Sequence, residues 1–214
     1  MNDNHARVCT SPEWAEHIQQ DILPAMTRDV SLGQEMLEIG PGPGAATEWL
    51  RHRVRQLTAV EIDAEAAGKL AARYPGGNVE VVTGDAAELG YPDGSFDSVG
   101  CFTMLHHVPT AARQDQILAE ALRVLRPGGT LIGSDSLASV SLHHFHEGDP
   151  YNPVDPAWLL GRLQTLGFGA VTVTVDTTVK FTARKAAPAD ADDCAADDCA
   201  AGDCAAGGPA TASR

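Results

Sequence analysis

Short apolar runs alternate with amphipathic stretches along most of the chain. The apolar runs are too short for helices and predict strands, while the stretches between them contain good helix formers. We predict strands at 36–39, 56–63, 78–84 and 97–102 and from 129 onward, with helices at 45–50, 64–73, 114–124 and 156–166. Alternation of strands and helices over most of this region predicts an α/β domain with a largely parallel sheet.

The first helix has a clear start signal. Ser11 can cap it and Pro12 suits its first position. Trp14, Ile18, Ile22 and Met26 share one face, which the sequence predicts to be buried. Pro24 is expected to end or kink this helix.

The end of the patterned region is different. Residues 170–175 and 178–183 each alternate apolar and polar side chains, and only Asp176 and Thr177 separate them. This spacing predicts an antiparallel hairpin.

Composition and charge narrow the function classes. Hydrophobic residues make up 43% of the 214 residues, charged residues 21%, and the formal net charge is −14. An acidic surface repels phosphate backbones, so we expect no nucleic-acid partner, and we interpret residues 51–55 as a solvated helix end rather than a basic patch. The chain shows no membrane-spanning run and no signal-peptide pattern at its start, so we expect a cytoplasmic protein without a membrane partner.

The last 29 residues have another composition. Residues 186–214 contain six aspartates and one arginine, and Cys194, Cys199 and Cys204 recur in a drifting Asp-Asp-Cys-Ala-Ala unit. We predict one domain over 1–185 and a disordered acidic tail over 186–214. A soft-metal site in the tail is the alternative, but five-residue steps do not place thiols on one helical face.

Three glycines spaced two apart follow the first strand. Gly40, Gly42 and Gly44 predict a tight turn that a ligand approaches closely, and Glu38 lies at the end of the strand before it. The spacing Glu-x-Gly-x-Gly-x-Gly differs from the Gly-x-Gly-x-x-Gly of dinucleotide-binding folds.

The second strand ends in acidic residues. Glu61 follows Gly40 by 21 residues, about the separation at which a carboxylate meets the ribose hydroxyls of a nucleoside. Ile62 can pack on an adenine face, and Asp63 suits the N-cap of the next helix. A solvated strand end is the alternative interpretation of Glu61.

Four motifs in order now identify a resemblance. They are the glycine turn, Gly84-Asp85-Ala86, the Phe96-Asp97 strand leading to Leu105-His106-His107, and Leu125-Arg126-Pro127-Gly128-Gly129. Over residues 32–136 the chain resembles the class I S-adenosylmethionine-dependent methyltransferases, in their small-molecule, type 11-like branch. The resemblance implies a doubly wound, seven-stranded Rossmann-like sheet with an antiparallel last strand, and S-adenosylmethionine as cofactor.

The resemblance also implies binding residues. An Asp at position 85 accepts a hydrogen bond from the exocyclic amine of adenine, and the backbone N–H of Ala86 meets a ring nitrogen. The full set expected to bind the cofactor is Glu38, Gly40, Gly42, Gly44, Glu61, Ile62, Asp85, Ala86, Cys101 and Phe102.

Methyl transfer from a sulfonium needs alignment more than acid–base groups. His106 and His107 are the candidate catalytic bases, although this element also suits a structural role. The cluster of His143, His144 and His146 with Glu147 and Asp149 is a candidate metal site, but such ligands usually come from separate elements. We therefore expect a solvated lid and no metal.

We expect a small-molecule acceptor in a pocket between the N-terminal helix, the 105–107 loop and the 143–155 segment. The acceptor atom stays open among oxygen, nitrogen, carbon and sulfur. Two rival functions also stay open. One is an NAD-dependent oxidoreductase, and the other is a regulatory protein that binds S-adenosylmethionine without turnover.

Overall fold

The computed structural model describes residues 2–187, and within them one sheet of seven strands forms. The strand order is β3-β2-β1-β4-β5-β7-β6. The strands are β1 (Glu35–Ile39), β2 (Gln56–Glu61), β3 (Val79–Thr83), β4 (Phe96–Phe102), β5 (Leu125–Ser136), β6 (Phe168–Val175) and β7 (Thr178–Lys185).

The first five strands pair in parallel, whereas β7 runs antiparallel to both β5 and β6. The hairpin predicted from the alternating residues at 170–183 is therefore confirmed, and so is the antiparallel last strand. The chain passes from β5 through α7 and α8 to the outer strand β6, and β7 then returns between β6 and β5, so the hairpin forms one edge of the sheet.

Helices cover both faces of the sheet. They are α1 (Asp3–Cys9), α2 (Pro12–His17), α3 (Leu23–Thr27), α4 (Ala45–Leu50), α5 (Ala64–Ala71), α6 (Ala111–Val124), α7 (Val140–Phe145) and α8 (Pro156–Leu166). Gly167 ends α8 in the left-handed conformation, as its position after the helical pattern predicts. No helix of the described residues is both long and apolar enough to cross a membrane.

The N-terminal helical segment begins as predicted but continues past Pro24. Ser11 Oγ accepts a hydrogen bond from the Trp14 N–H at 3.2 Å, and Ile18, Ile22 and Met26 are buried. Residues 18–22 form a π-helical turn, in which the Leu23 N–H donates to the Ile18 carbonyl. The wider turn accommodates a proline that lacks its own donor, so α3 extends to Thr27.

The Pro127-Gly128-Gly129 motif lies inside β5, which corrects our expectation that it separates α6 from the strand. α6 ends at Val124 and β5 begins at Leu125. Phe96 pairs with Leu125 but Ser98 pairs with Thr130, so the motif forms a bulge. The extra residues of a bulge are not paired with the neighbouring strand, and glycines can adopt the backbone conformations that this requires.

Asp97 lies near the start of β4, at the opposite end of the strands from the glycine turn. Its Oδ2 accepts hydrogen bonds from the Gln34 N–H at 2.8 Å and the Glu35 N–H at 2.9 Å, and the carboxylate pairs with Arg126. Two motifs of the resembled family thus meet here. Their role is to join the start of β1 to β4 and β5.

Apolar side chains form two clusters, one on each face. One packs α6 and α8 against the sheet, and the other packs the N-terminal helices and α4 against it. Nearly all of the predicted tail, with its three cysteines, lies outside the described residues. The division into a 1–185 domain and a 186–214 tail stays a prediction.

Candidate active site

A cavity of about 430 Å³ lies at the carboxyl ends of β1, β2, β3 and β4. This is where open α/β sheets bind ligands, and the volume falls within the usual range for ligand pockets. Eight of the ten residues expected to bind a cofactor line this cavity. They are Glu38, Gly40, Gly42, Glu61, Ile62, Asp85, Ala86 and Phe102.

The structure does not bring the other two expected residues to the cavity. Cys101 is 1% exposed and packs in the core, and burial raises the pKa of its thiol. Gly44 precedes α4 with φ +84°, and a Cβ there would lie 2.4 Å from Leu70 Cδ1. Gly44 therefore allows α4 and α5 to approach closely, which is a packing role.

Gly42 and Glu61 form the centre of the site. A Cβ on Gly42 would meet no heavy atom within 4 Å, so the glycine leaves its side of the cavity open to a ligand. Its N–H donates to Glu61 Oε2 at 3.1 Å, and the Asp63 N–H donates to Glu61 Oε1 at 3.0 Å. These two amides orient the carboxylate and leave each oxygen able to accept a further hydrogen bond.

Glu38 is a second carboxylate in the wall of the cavity, with only 2% of the residue exposed. Thr47 Oγ1 donates to its Oε2 at 2.7 Å. Burial raises the pKa of Glu38 to about 7, and the Thr47 hydrogen bond partly opposes this shift.

Two more features suit an adenine ring. Ile62 is 71% exposed although it is large and apolar, and it borders the cavity. Asp85 Oδ1 accepts the Ala87 N–H at 2.9 Å, while Oδ2 pairs with Arg113. Arg113 lines the cavity too, and its position in α6 gave no sequence signal for this contact.

Thr103 follows β4 and also lines the cavity. Its φ is +52°, which is uncommon for a β-branched residue, and its N–H donates to the Ser134 carbonyl at 2.7 Å. Backbone strain of this kind concentrates at functional sites. Sequence reasoning missed Thr103, because no residue type marks such a conformation.

The two catalytic candidates have different surroundings. His106 is 4% exposed, is not among the described residues that line the cavity, and places Nδ1 2.5 Å from Asp135 Oδ1. His107 does line the cavity, and burial, together with the neighbouring histidines His106, His5 and His146, lowers its pKa to about 3. His107 is therefore a neutral imidazole at neutral pH.

The candidate metal cluster of the 143–149 segment does not assemble. His143 and His144 are exposed, whereas His146 is 2% exposed and turns inward. There it contacts His5 of α1 and His107, with ring centroids 4.5 and 5.2 Å away. The sequence gave no signal for His5, because α1 lies about one hundred residues from the nearest of these partners.

The three segments predicted to surround an acceptor do border the cavity. Trp14 and Ile18 contribute from the N-terminal helical segment, His107 from the 105–107 turn, and Asp149 and Pro150 from the segment after α7. The cavity is therefore continuous from the Glu61 end to a second end at His107 and Asp149.

These features fit an adenosyl cofactor. The carboxylate at the tip of β2, the open backbone at Gly42 and the exposed apolar face of Ile62 match the ribose, the adjoining chain and the adenine of such a group. The strand order, with β7 antiparallel to its neighbours, is the one that the resembled methyltransferases imply. Together the fold and the site define the methyltransferase class of α/β proteins.

Comparisons with known proteins support the same class. Residues 37–133 match the family described as "Methyltransferase domain". A probable S-adenosylmethionine-dependent methyltransferase of Mycolicibacterium smegmatis is 32% identical over 143 residues, which are 64% of this chain and 52% of that protein. A fatty-acid O-methyltransferase of the same organism is 35% identical over 106 residues, which are 49% of this chain and 38% of that protein.

Among solved structures, phosphoethanolamine N-methyltransferase 2 of Haemonchus contortus with bound S-adenosylmethionine aligns with a TM-score of 0.68 at 16% identity. The alignment covers 85% of this chain and 57% of that one, and it shows the shared fold. The chain spans about half or less of the length of the curated relatives cited.

Residues 37–133 match the methyltransferase-domain family, and the relatives and the shared fold support S-adenosylmethionine as the cofactor of this domain. This confirms the resemblance drawn from the four sequence motifs. It also favours the methyltransferase interpretation over the NAD-dependent alternative.

Proposed function

We propose that this protein transfers the methyl group of S-adenosylmethionine to a small-molecule acceptor. The observation that carries the proposal is the single cavity that joins the Gly42–Glu61 end to the His107–Asp149 end. One end suits the adenosyl group, and the other provides room for a second molecule. Methyl transfer needs two such sites in line.

For the cofactor end, we propose that the Glu61 carboxylate accepts hydrogen bonds from the ribose hydroxyls. Ile62 supports the adenine ring, and the Ala86 N–H meets a ring nitrogen. Asp85 accepts from the adenine amine while Arg113 holds its other side. Glu38, which accepts a hydrogen bond from Thr47, lines the cavity next to the turn at Gly40 and Gly42.

For the acceptor end, the cofactor supplies a methyl group that its sulfonium already activates. The residues of this chain must therefore align the acceptor and exclude water. His107 lines this end as a neutral imidazole, and because a group with a pKa of about 3 takes a proton poorly at neutral pH, it contributes as a wall of the acceptor site rather than as a general base. His106, bonded to Asp135, acts as a positioning residue for the turn that carries His107.

A small molecule fits this surface better than RNA. Curated relatives include a fatty-acid O-methyltransferase and a probable ribosomal RNA methyltransferase, so their names leave the acceptor open. The net charge of −14 opposes a phosphate backbone. The basic residues at 51–55 are engaged, since Arg51 pairs with Glu48, Arg55 pairs with Glu35, and Arg53 lies over the Trp49 ring.

The test uses cofactor with an isotopically labelled methyl group, incubated with the full chain and either metabolite extracts, total RNA or protein. We expect label on a small molecule with wild type and much less with Glu61→Ala. Glu65→Ala is the matched control, because Glu65 is an exposed carboxylate four residues away. Label on RNA or protein alone would overturn the small-molecule proposal.

Binding without any transfer to the three acceptor pools would favour the regulatory alternative. Calorimetric titration with S-adenosylmethionine and with NAD completes the comparison. We expect heat from the first ligand and none from the second.

A further inference from the structure

We propose that His5, His107 and His146 form a binding site for one divalent transition-metal ion at the acceptor end of the cavity. Each offers one ring nitrogen, and the three nitrogens lie within 4.8 Å of one another. They come from α1, from the turn after β4 and from the loop after α7. The proposal concerns metal binding and does not depend on methyl transfer.

The surroundings of His146 set its tautomer. Its Nδ1 lies 2.7 Å from the Leu142 carbonyl oxygen, which can only accept, so Nδ1 carries the proton. The lone pair is then on Nε2, which is fully buried and has no hydrogen-bond partner among the described residues. A buried acceptor without a partner is costly and uncommon. A metal ion at Nε2 would provide the missing partner.

His5 has the arrangement that metal-binding histidines usually show. Its Nδ1 lies 3.2 Å from Asp149 Oδ2, and the same oxygen accepts the Asn2 N–H at 2.8 Å. A carboxylate that holds Nδ1–H fixes the ring and leaves Nε2 as a ligand with greater basicity. His5 is 2% exposed, so its orientation is constrained by packing as well.

His107 is the third proposed ligand, and it connects the proposed metal site to the cavity. It packs against His5 with ring centroids 4.8 Å apart, and it alone of the three lines the cavity. Three protein ligands would leave a fourth position on a tetrahedral ion, and because His107 lines the cavity, a molecule in the cavity could reach it. An acceptor with an oxygen or nitrogen atom could bind there.

The donor type selects the metal. Three imidazoles favour Zn²⁺, Cu²⁺, Ni²⁺ or Fe²⁺ over Mg²⁺ and Ca²⁺, which prefer oxygen ligands. Zn–N bonds of about 2.0–2.1 Å in a tetrahedral site place the nitrogens about 3.3 Å apart. The three nitrogens lie within 4.8 Å of one another, so small side-chain rotations would bring them to this separation.

The test measures metal content and affinity of the untagged full chain after chelator treatment, with added Zn²⁺ and Co²⁺. We expect one tightly bound ion per chain and a Co²⁺ absorption spectrum without thiolate charge-transfer bands. His146→Ala and His107→Ala should each weaken Zn²⁺ binding by at least about 100-fold. His107 is only partly buried, so His107→Ala stays informative if His146→Ala does not fold.

Two controls separate this site from its competitors. His144→Ala removes an exposed imidazole from the same segment and should leave Zn²⁺ affinity unchanged. A variant with Cys194, Cys199 and Cys204 replaced by serine should also bind as wild type does. The proposal fails if wild type binds none of the ions, if both histidine variants bind normally, or if the serine variant loses the metal.

Discussion

The Gly42 N–H donates to Glu61 Oε2 at 3.1 Å, across 19 residues of sequence. This hydrogen bond joins the turn after β1 to the tip of β2, so the two most informative sequence motifs orient one another. The carboxylate also accepts the Asp63 N–H. Glu61 is thus held in place before any ligand arrives, and this preorganisation reduces the entropic cost of binding.

Replacing Glu61 should weaken cofactor binding. Glu61→Ala removes the proposed paired hydrogen bond to the ribose, and we expect a loss of about 1.5–3 kcal/mol, or roughly tenfold to 150-fold in Kd. Isothermal titration with S-adenosylmethionine measures it. Glu65→Ala serves as the exposed control. An unchanged Kd for Glu61→Ala would refute the assignment of Glu61.

Alanine at two glycines of the turn should have separable effects. Gly44→Ala adds a Cβ 2.4 Å from Leu70 Cδ1 at a φ of +84°, so we expect a loss of about 2–4 kcal/mol in the free energy of unfolding. Gly42→Ala meets no neighbour and carries only the cost of its φ of +51°, about 1 kcal/mol.

Gly42→Ala should instead reduce cofactor affinity, because its methyl group enters the cavity. Urea denaturation and calorimetric titration of both variants test the pair. Equal losses of stability, with no difference in affinity, would contradict these separate roles.

Glu38 should make the stability of the cofactor-free protein depend on pH. Its pKa is raised from 4.5 to about 7 in the folded state, so the folded protein binds the extra proton between these values. Stability therefore falls as pH rises from about 4.5 to 7, by about 3 kcal/mol at most, and the full penalty persists above pH 7.

Glu38→Gln cannot ionise but keeps an oxygen for the Thr47 hydrogen bond. The variant should gain stability relative to wild type as pH rises over this range, measured by urea denaturation at several pH values. A difference that does not change with pH would show that Glu38 is not protonated in the folded state.

Asp97 should matter for stability but not for the cofactor. Asp97→Ala leaves the Gln34 and Glu35 amides and the Arg126 guanidinium without their acceptor, and we expect a loss of about 1.5–3 kcal/mol. Asp93→Ala is the control, because Asp93 is 78% exposed in its ion pair with Arg123. A large change in Kd for cofactor in folded Asp97→Ala would show coupling across the sheet.

Deletion of residues 186–214 should leave the melting temperature within about 2 °C of that of the full chain. The segment contains few large apolar residues, so it has little surface to bury against the domain. Differential scanning calorimetry of both forms, together with their cofactor affinities, checks this. A loss of several degrees would show that the segment docks.

Much of the fold followed from local pattern. The strand from 36, the helices at 45–50 and 156–166 and the C-terminal hairpin all formed where apolar periodicity and end signals placed them. These signals act within a few residues, so they can be recognised without tertiary contacts. Pro24 did not end its helix, because a π-turn precedes it, and Pro127 was expected before the fifth strand but lies in a bulge of β5.

The cofactor end of the site was also visible in the sequence, because strand tips in an α/β sheet occupy predictable places. Glu38, Gly42, Glu61 and Asp85 each follow or end a parallel strand, and such positions meet at one edge. The side chain of Cys101 lies in the core and not at the cavity, since alternation along β4 directs it and Phe102 to opposite faces.

The acceptor end depended on the tertiary structure alone. His5, His107 and His146 are distant in sequence and belong to short elements with no shared spacing, and only packing brings their rings together. The same holds for the Asp85–Arg113 pair and for the strained backbone at Thr103. Sequence periodicity determined the sheet and the residues at its strand tips, whereas the contacts among loops were decided by how the helices pack, because no local pattern encodes a distance between separate segments.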